Sequence, residues 1–176
     1  MTRDQLEHVI RAACTIAEVS EIVVVGSQAV LGQFPHPPET LTVSMEADVY
    51  PPARPELADL IDGSIGEDSP FFYTFGYCAD GVDATTATLP EGWEGRLIRI
   101  QNENTLGLSG LCLEIHDLLI SKCVAGREKD FRYLAAALEA GLASEDELLR
   151  RLASTPIDSS GRTQVAALIH RAARRS

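Results

Sequence analysis

The chain is poor in positive charge and has no long apolar run. Its 176 residues carry 15 Lys and Arg against 26 Asp and Glu, which gives a formal net charge of −11. This balance disfavours broad binding to a nucleic-acid backbone, which needs a high density of basic side chains. No stretch approaches the ~20 apolar residues that span a bilayer, and no signal-peptide pattern opens the sequence. We therefore expect a cytoplasmic protein with no membrane partner.

Several familiar site signatures are also missing. The four cysteines have no CxxC spacing, and the four histidines have neither HExxH nor any other paired spacing. Neither GxGxxG nor GxxxxGK[ST] occurs in the sequence. The cysteines are therefore best interpreted as reduced packing residues rather than as metal or redox ligands.

Hydrophobic periodicity predicts an α+β protein, a mixed sheet flanked by helices with a helical C-terminal half. The predicted strands are 22–25, 41–50, 85–89 and 96–100. The predicted helices are 3–18, 27–33, 55–62, 115–125, 128–140, 144–153 and 160–174. Gly126 and Gly141 are expected as C-caps, and Ser144 and either Ser159 or Ser160 as N-caps. We place an α/β core in residues 1–110 and a helical subdomain packed on it in residues 111–176.

Two features of the predicted core suggest phosphate and metal chemistry. Gly26 follows a buried strand, and with Ser27 it could let a helix N-terminus approach a phosphate. An ordinary turn capped by Ser27 is the alternative. Glu46 and Asp48 are two residues apart on a strand, so both side chains leave the same face, with their β-carbons about 7 Å apart. They could hold one Mg²⁺ ion, or they could form an exposed acidic strand face.

Lys122 is a cation within the apolar stripe of the helix predicted at 115–125. A buried ammonium group is costly unless it is paired. Lys122 therefore either extends to the surface or meets an anion, which could be a triphosphate, Asp130 or the pair Glu46 and Asp48. Asp130 begins the next helix, where it could accept a proton, bind a metal or stabilise the helix N-terminus.

These residues together resemble a known family. Gly26-Ser27, the strand around Glu46 and Asp48, and the run from 113 to 130 (LEIHDLLISKCVAGREKD) are similar to the AbiEii/MenA-like minimal nucleotidyltransferases. The resemblance is closest to relatives with the helix pair HDLxxSKxxAGRxKD. It covers most of residues 20–150, and the helix pair is its most specific part.

The resemblance implies a polymerase-β-like nucleotidyltransferase core and Mg²⁺-dependent transfer of a nucleotide from an NTP, onto tRNA in toxin members. It implies that Gly26 and Ser27 contact the triphosphate, that Glu46 and Asp48 hold the metal, that Lys122 contacts phosphate and that Asp130 completes the pocket. The first metal carboxylate is Glu46 where the family has Asp, and Asp83 is the candidate for a third strand carboxylate.

We therefore expect a nucleotidyltransferase that uses Mg²⁺ and an NTP, with an RNA acceptor and an antitoxin-type protein partner as further expectations. The alternative from another functional class is a catalytically inactive relative that binds nucleotide or protein without turnover. A third interpretation is an interaction module whose helical end docks a partner.

Overall fold

The computed structural model describes residues 1–174, which form two compact units. The first unit comprises residues 1–86 and 97–113. The second comprises residues 87–96 together with the chain from residue 114 onward. The segment 87–96 thus groups with the helical unit, although it precedes the boundary that the sequence suggested near residue 110.

The first unit contains a mixed five-stranded sheet. Its strands are β1 (Glu21–Val24), β2 (Glu46–Tyr50), β3 (Cys78–Gly81), β4 (Ile98–Ile100) and β5 (Ser109–Cys112). Their order in the sheet is β3-β2-β1-β5-β4. Strand β1 pairs in parallel with β5 and antiparallel with β2, while β2 pairs in parallel with β3 and β4 antiparallel with β5. The predicted α+β class, a mixed sheet flanked by helices, is confirmed.

The helices of the first unit are α1 (Arg3–Ala17), α2 (Val30–Gln33), α3 (Ala58–Ile65) and α4 (Pro70–Phe75). Helix α3 packs closely against the edge strand β3. The closeness is seen at Gly81, where an added Cβ atom would lie 1.9 Å from the carbonyl oxygen of Ala58. Neighbouring strand residues point to opposite faces, so the side chain of Asp80 lies on the face turned away from α3. That face carries the candidate site.

The second unit is helical, as predicted. Its helices are α5 (Ile115–Ala125), α6 (Glu128–Glu139), α7 (Glu145–Ala153) and α8 (Ser159–Ala173). Gly126 and Gly141 end α5 and α6 with φ angles of +69° and +67°, a backbone region that glycine adopts without strain. Ser144 caps α7, but Asp158 rather than Ser159 or Ser160 caps α8, because its carboxylate accepts the Gly161 N–H at 2.7 Å.

Two strand predictions are wrong in part or in whole. The run 41–50 forms a strand only from Glu46, since the side-chain amide of Gln28 donates to the Ser44 carbonyl at 2.8 Å and Val43 points into solvent. The run 85–89 forms a turn instead. Asp83 accepts hydrogen bonds from both the backbone N–H and the hydroxyl of Thr85, at 2.8 and 2.6 Å. Such side-chain bonds compete with a strand ladder.

Within residues 1–174, no helix is both long enough and apolar enough to cross a membrane.

Candidate active site

Three carboxylates form the acidic face of the sheet: Glu46 and Asp48 on β2, and Asp80 on β3. In the parallel ladder between these strands Asp48 is the register partner of Asp80, and Glu46 is the partner of Cys78. Register partners point to the same face, and neighbouring strands lie about 4.8 Å apart. The predicted pair is therefore joined by a third carboxylate directly beside Asp48.

The acidic face places like charges together. Burial, followed by the charges of the neighbouring carboxylates Glu46 and Asp48, raises the pKa of Asp80 to about 6. Asp62 and Glu67 add smaller effects of the same sign. Carboxylates held this close disfavour each other's ionised form unless a cation lies between them. The arrangement is typical of a site that binds a cation.

The carboxylate of Asp48 occupies the space that a side chain at Gly26 would need. A Cβ atom added at Gly26 would lie 1.5 Å from Oδ2 of Asp48, so any other residue at this position would displace the carboxylate. The Val25 N–H also donates to the Asp48 carbonyl at 3.0 Å. The structure therefore brings together the predicted Gly26-Ser27 turn and the predicted carboxylate strand.

The third strand carboxylate was misidentified from the sequence. Asp83 lies beyond the end of β3, where its side chain caps a turn through Thr85. Asp80 lies on the strand itself, in a region for which neither a strand nor a helix was predicted. The signal available was a short alternation, since Cys78 and Asp80 share one face and Ala79 and Gly81 the other.

The donor set of the acidic face fits a hard divalent cation. Mg²⁺ takes oxygen ligands and typically uses one or two protein carboxylates, with phosphate oxygens and water completing the shell. Asp48 and Asp80 supply such a pair. In the part of the chain that the structure describes, no group of three His, Cys, Asp or Glu side chains is placed to hold a metal ion. The fit is therefore to an ion whose shell a bound phosphate completes.

Lys122 meets an anion within the second unit. Its ammonium lies 3.5 Å from Oδ1 of Asp130 and 4.5 Å from the centre of the Tyr133 ring, and it is buried. Arg127 donates to both oxygens of Asp130, at 2.6 and 3.2 Å. Of the partners that the sequence left open for Lys122, Asp130 is the one that the geometry of this unit supports.

Asp130 is a neutralised buried carboxylate. Burial alone would raise the pKa of Asp130, but the hydrogen bond from Arg127 and the charge of Lys122 together lower it. Its position in the first turn of α6 adds a favourable interaction with the helix dipole. A role in stabilising the start of the helix is therefore supported. Roles in proton transfer or metal binding stay predictions.

The family of the chain follows from a comparison with known protein families. Residues 4–166 match a family described as nucleotidyltransferase of unknown function (DUF6036). The chain belongs to this family. No curated protein and no solved structure matches it.

Membership in this nucleotidyltransferase family supports the general part of the sequence-based identification. It supports a nucleotidyltransferase fold and points to transferase activity. The closer resemblance to AbiEii/MenA-like proteins, the NTP, the Mg²⁺ ion and the RNA acceptor stay predictions.

The most specific motif of this chain, HDLxxSKxxAGRxKD, forms an internal network of hydrogen bonds and ion pairs. Asp117 is fully buried and accepts from Nε and Nη2 of Arg96 at 2.8 and 3.0 Å, and from Nη1 of Arg151 at 2.9 Å. His116 contacts Glu114 through Nδ1 at 2.7 Å and accepts the Ser144 N–H at Nε2. The motif thus holds the second unit together, a role that motif reading did not reveal for Asp117.

Proposed function

We propose that this protein transfers a nucleotide from an NTP to an acceptor, using Mg²⁺ held by Asp48 and Asp80 with support from Glu46. The single observation that carries the proposal is the register of Asp48 beside Asp80. Gly26 has no side chain, which leaves room for the Asp48 carboxylate. Two strand carboxylates side by side, next to a strand-to-helix turn, are what a Mg²⁺-triphosphate site requires.

In the proposed reaction an acceptor hydroxyl oxygen attacks the α-phosphorus of the NTP. The bond to the β-phosphate oxygen breaks, pyrophosphate leaves, and the hydroxyl proton passes to a carboxylate of the acidic face. When bound, Mg²⁺ supplies neutralisation of the phosphate charge. The turn at Gly26 and Ser27 is assigned to the triphosphate, as the family resemblance implies.

Lys122 and Asp130 have weaker support as site residues than the acidic face. Asp130 already receives two cations within its own unit, so a purely structural pair explains both residues. We retain contact between Lys122 and phosphate, and completion of the pocket by Asp130, as proposals that need their own test.

The acceptor is proposed to be RNA, following the same resemblance. A net charge of −11 argues that any RNA contact is local rather than spread over the surface. The resemblance to toxins adds the proposal of an antitoxin-type protein partner, which co-purification with the product of a neighbouring reading frame would test.

The decisive experiment incubates the protein with each of the four labelled NTPs, Mg²⁺ and total tRNA, and measures label transfer to RNA. Asp48→Asn should lower the rate about 100- to 1,000-fold, because it removes charge from the ion site. Asp83→Asn is the matched control, since Asp83 caps a turn outside the sheet, and it should retain the wild-type rate. Equal rates for Asp48→Asn and wild type would remove the metal role of Asp48.

A nucleotide-binding protein without turnover is the second candidate. It is favoured by Glu46, which stands where the family resemblance implies an aspartate for the metal. Calorimetry separates the cases. Binding of Mg²⁺ with a non-hydrolysable NTP but no transfer to any acceptor supports the inactive protein, and failure to bind excludes both in their nucleotide form.

A further inference from the structure

Gln28 has a buried side-chain amide whose nitrogen makes a hydrogen bond and whose oxygen makes none. It belongs to the 3₁₀ turn Ser27–Ala29, directly after Gly26, and its side chain is 0% exposed. Its Nε2 donates to the carbonyl oxygen of Ser44 at 2.8 Å. Its Oε1 is buried and has no hydrogen-bond partner among the described residues. An unmade hydrogen bond of this kind is costly, and its cost offsets the gain from the bond that Nε2 makes.

The two ends of Gln28 connect the two halves of the acidic site. Its backbone follows the Gly26 turn, against which the Asp48 carboxylate packs. Its amide holds the Ser44 carbonyl, two residues before Glu46 opens β2. The Ser44 hydroxyl in turn accepts the Glu46 N–H at 3.1 Å. A short chain of bonds thus runs from the turn to the start of the carboxylate strand.

We propose that Gln28 is a positioning residue, which fixes the Gly26-Ser27 turn against the start of β2 so that both present one geometry to the nucleotide. This inference rests on the proposed function, because only a transfer reaction requires that geometry. The buried amide contributes little to stability overall, since its gain at Ser44 is offset by its unpaired Oε1. Displacements of about 1 Å at a reacting centre cost up to ~100-fold in rate, so a modest release of β2 would be visible in catalysis.

The variant Gln28→Met tests this role. Methionine has a similar shape but neither the amide donor nor the unpaired acceptor. We expect kcat for transfer to fall about 10- to 100-fold with KM for NTP nearly unchanged. The thermal midpoint should stay close to that of the wild type. Hydrogen exchange of peptides covering 44–48 should become faster.

The matched control is Gln101→Met. Gln101 also donates its side-chain amide to a backbone carbonyl, that of Gly107, at 2.6 Å, but in the connection between β4 and β5. This variant should retain the wild-type kcat and alter exchange only near residue 107. If Gln28→Met does not fold, Gln28→Asn, whose amide is one methylene too short to reach Ser44, replaces it under the same criteria.

The outcomes are distinct. Normal kcat and normal exchange at 44–48 in the Gln28 variant would overturn the inference, and so would failure of both Gln28 variants to fold, which would make Gln28 a structural residue. If the wild-type protein transfers no nucleotide, the proposed function fails, while the exchange of 44–48 still shows whether Gln28 holds β2. Faster exchange with the catalytic loss supports the positioning role.

Discussion

The carboxylates of the acidic face and those of the second unit lie in opposite electrostatic surroundings. On the acidic face, burial and neighbouring carboxylates raise the pKa of Asp80 to about 6. In the second unit, Asp130 is more deeply buried, yet Arg127 and Lys122 lower its pKa. Asp117 likewise receives Arg96 and Arg151.

This difference distinguishes carboxylates that are paired with cations of their own unit from carboxylates that lie beside one another. A buried carboxylate whose cations come from the same unit is satisfied by the fold itself, and it stabilises the fold only by staying paired. A carboxylate surrounded by other carboxylates destabilises the empty protein and is relieved when a cation binds. The buried acids of the family-specific motif belong to the first class, and the proposed function places the three strand carboxylates in the second. Four predictions test this division.

The largest effect is expected for Asp117→Asn. The change leaves the guanidinium groups of Arg96 and Arg151 without their shared carboxylate, so we expect a loss of about 3–5 kcal/mol in the free energy of unfolding. Urea denaturation followed by circular dichroism measures it. The control Asp146→Asn, at an exposed position in the first turn of α7, should lose less than about 1 kcal/mol. Equal losses in the two variants would show that Asp117 is not a structural charge.

A smaller loss is expected for Asp130→Asn, about 2 kcal/mol at pH 7, because Arg127 is more than half exposed and can return to water. The pKa of Asp130 is lowered in the fold, so its contribution is present above the unfolded pKa of about 3.9 and is lost as the pH falls through the lower folded pKa. The difference between wild type and variant should therefore shrink below about pH 4.

Urea titrations at pH 7 and pH 3.5 measure this difference for Asp130. Glu128→Gln is the control on the same helix, because its ion pair with Arg132 is exposed on both sides. A pH-independent difference for Asp130→Asn would contradict the paired-carboxylate assignment.

On the acidic face, removing a carboxylate is expected to raise stability rather than lower it. Asp80→Asn should raise stability by about 1 kcal/mol at pH 8 in EDTA, an amount that allows for screening by solvent at a partly exposed site. Because the pKa of Asp80 is raised, its penalty is absent below the unfolded pKa of about 3.9 and complete above about pH 6. The gain should therefore disappear near pH 4.

Mg²⁺ should reverse the order of stability at pH 8, since it stabilises wild type and has less effect on Asp80→Asn. Thermal melts with and without the ion measure this. Asp83→Asn serves as the control and should not gain stability at pH 8, because hydrogen bonds from Thr85 lower the pKa of Asp83. A loss of stability in Asp80→Asn at pH 8 would refute the like-charge account.

The smallest effect on stability is expected for Lys122→Met, less than about 1 kcal/mol, because Arg127 still neutralises Asp130 and a buried ammonium is removed. Calorimetry with Mg²⁺ and NTP then tests the phosphate role of Lys122. Weaker binding than in Lys129→Met, a control that removes the same charge from an exposed position, would support the role. Identical affinities would leave Lys122 a purely structural residue.

Much of the fold could be predicted from the sequence because the long helices are indicated by residues within and next to each helix. The four helices from Ile115 onward have apolar stripes, and glycines at 126 and 141 that end two of them. Short strands carry weaker signals. Strands β3 and β5 have four residues each, with small side chains, and were missed. The run at 85–89 is rich in threonine and was predicted to be a strand. It forms a turn instead, because the Thr85 N–H donates to the side chain of Asp83.

The site could be predicted only as far as contacts within one element extend. Glu46 and Asp48 share a strand face by period alone. Asp80 joins them through the parallel register of β2 and β3, which depends on a connection of 27 residues and leaves no local trace. The pairing of Asp117 with Arg96 and Arg151 is equally remote in sequence, so the motif suggested chemistry where the structure has an ion-pair network.

The bond from Arg96 to Asp117 has a practical consequence for dissecting the chain. Arg96 reaches the helical unit from a segment that is inserted between two strands of the sheet unit. A fragment starting at Glu114 would therefore carry every long helix of that unit but lose one of the two arginines on its most deeply buried acid. Independent expression of the helical half is better attempted with residues 87–96 joined to its N-terminus by a flexible linker.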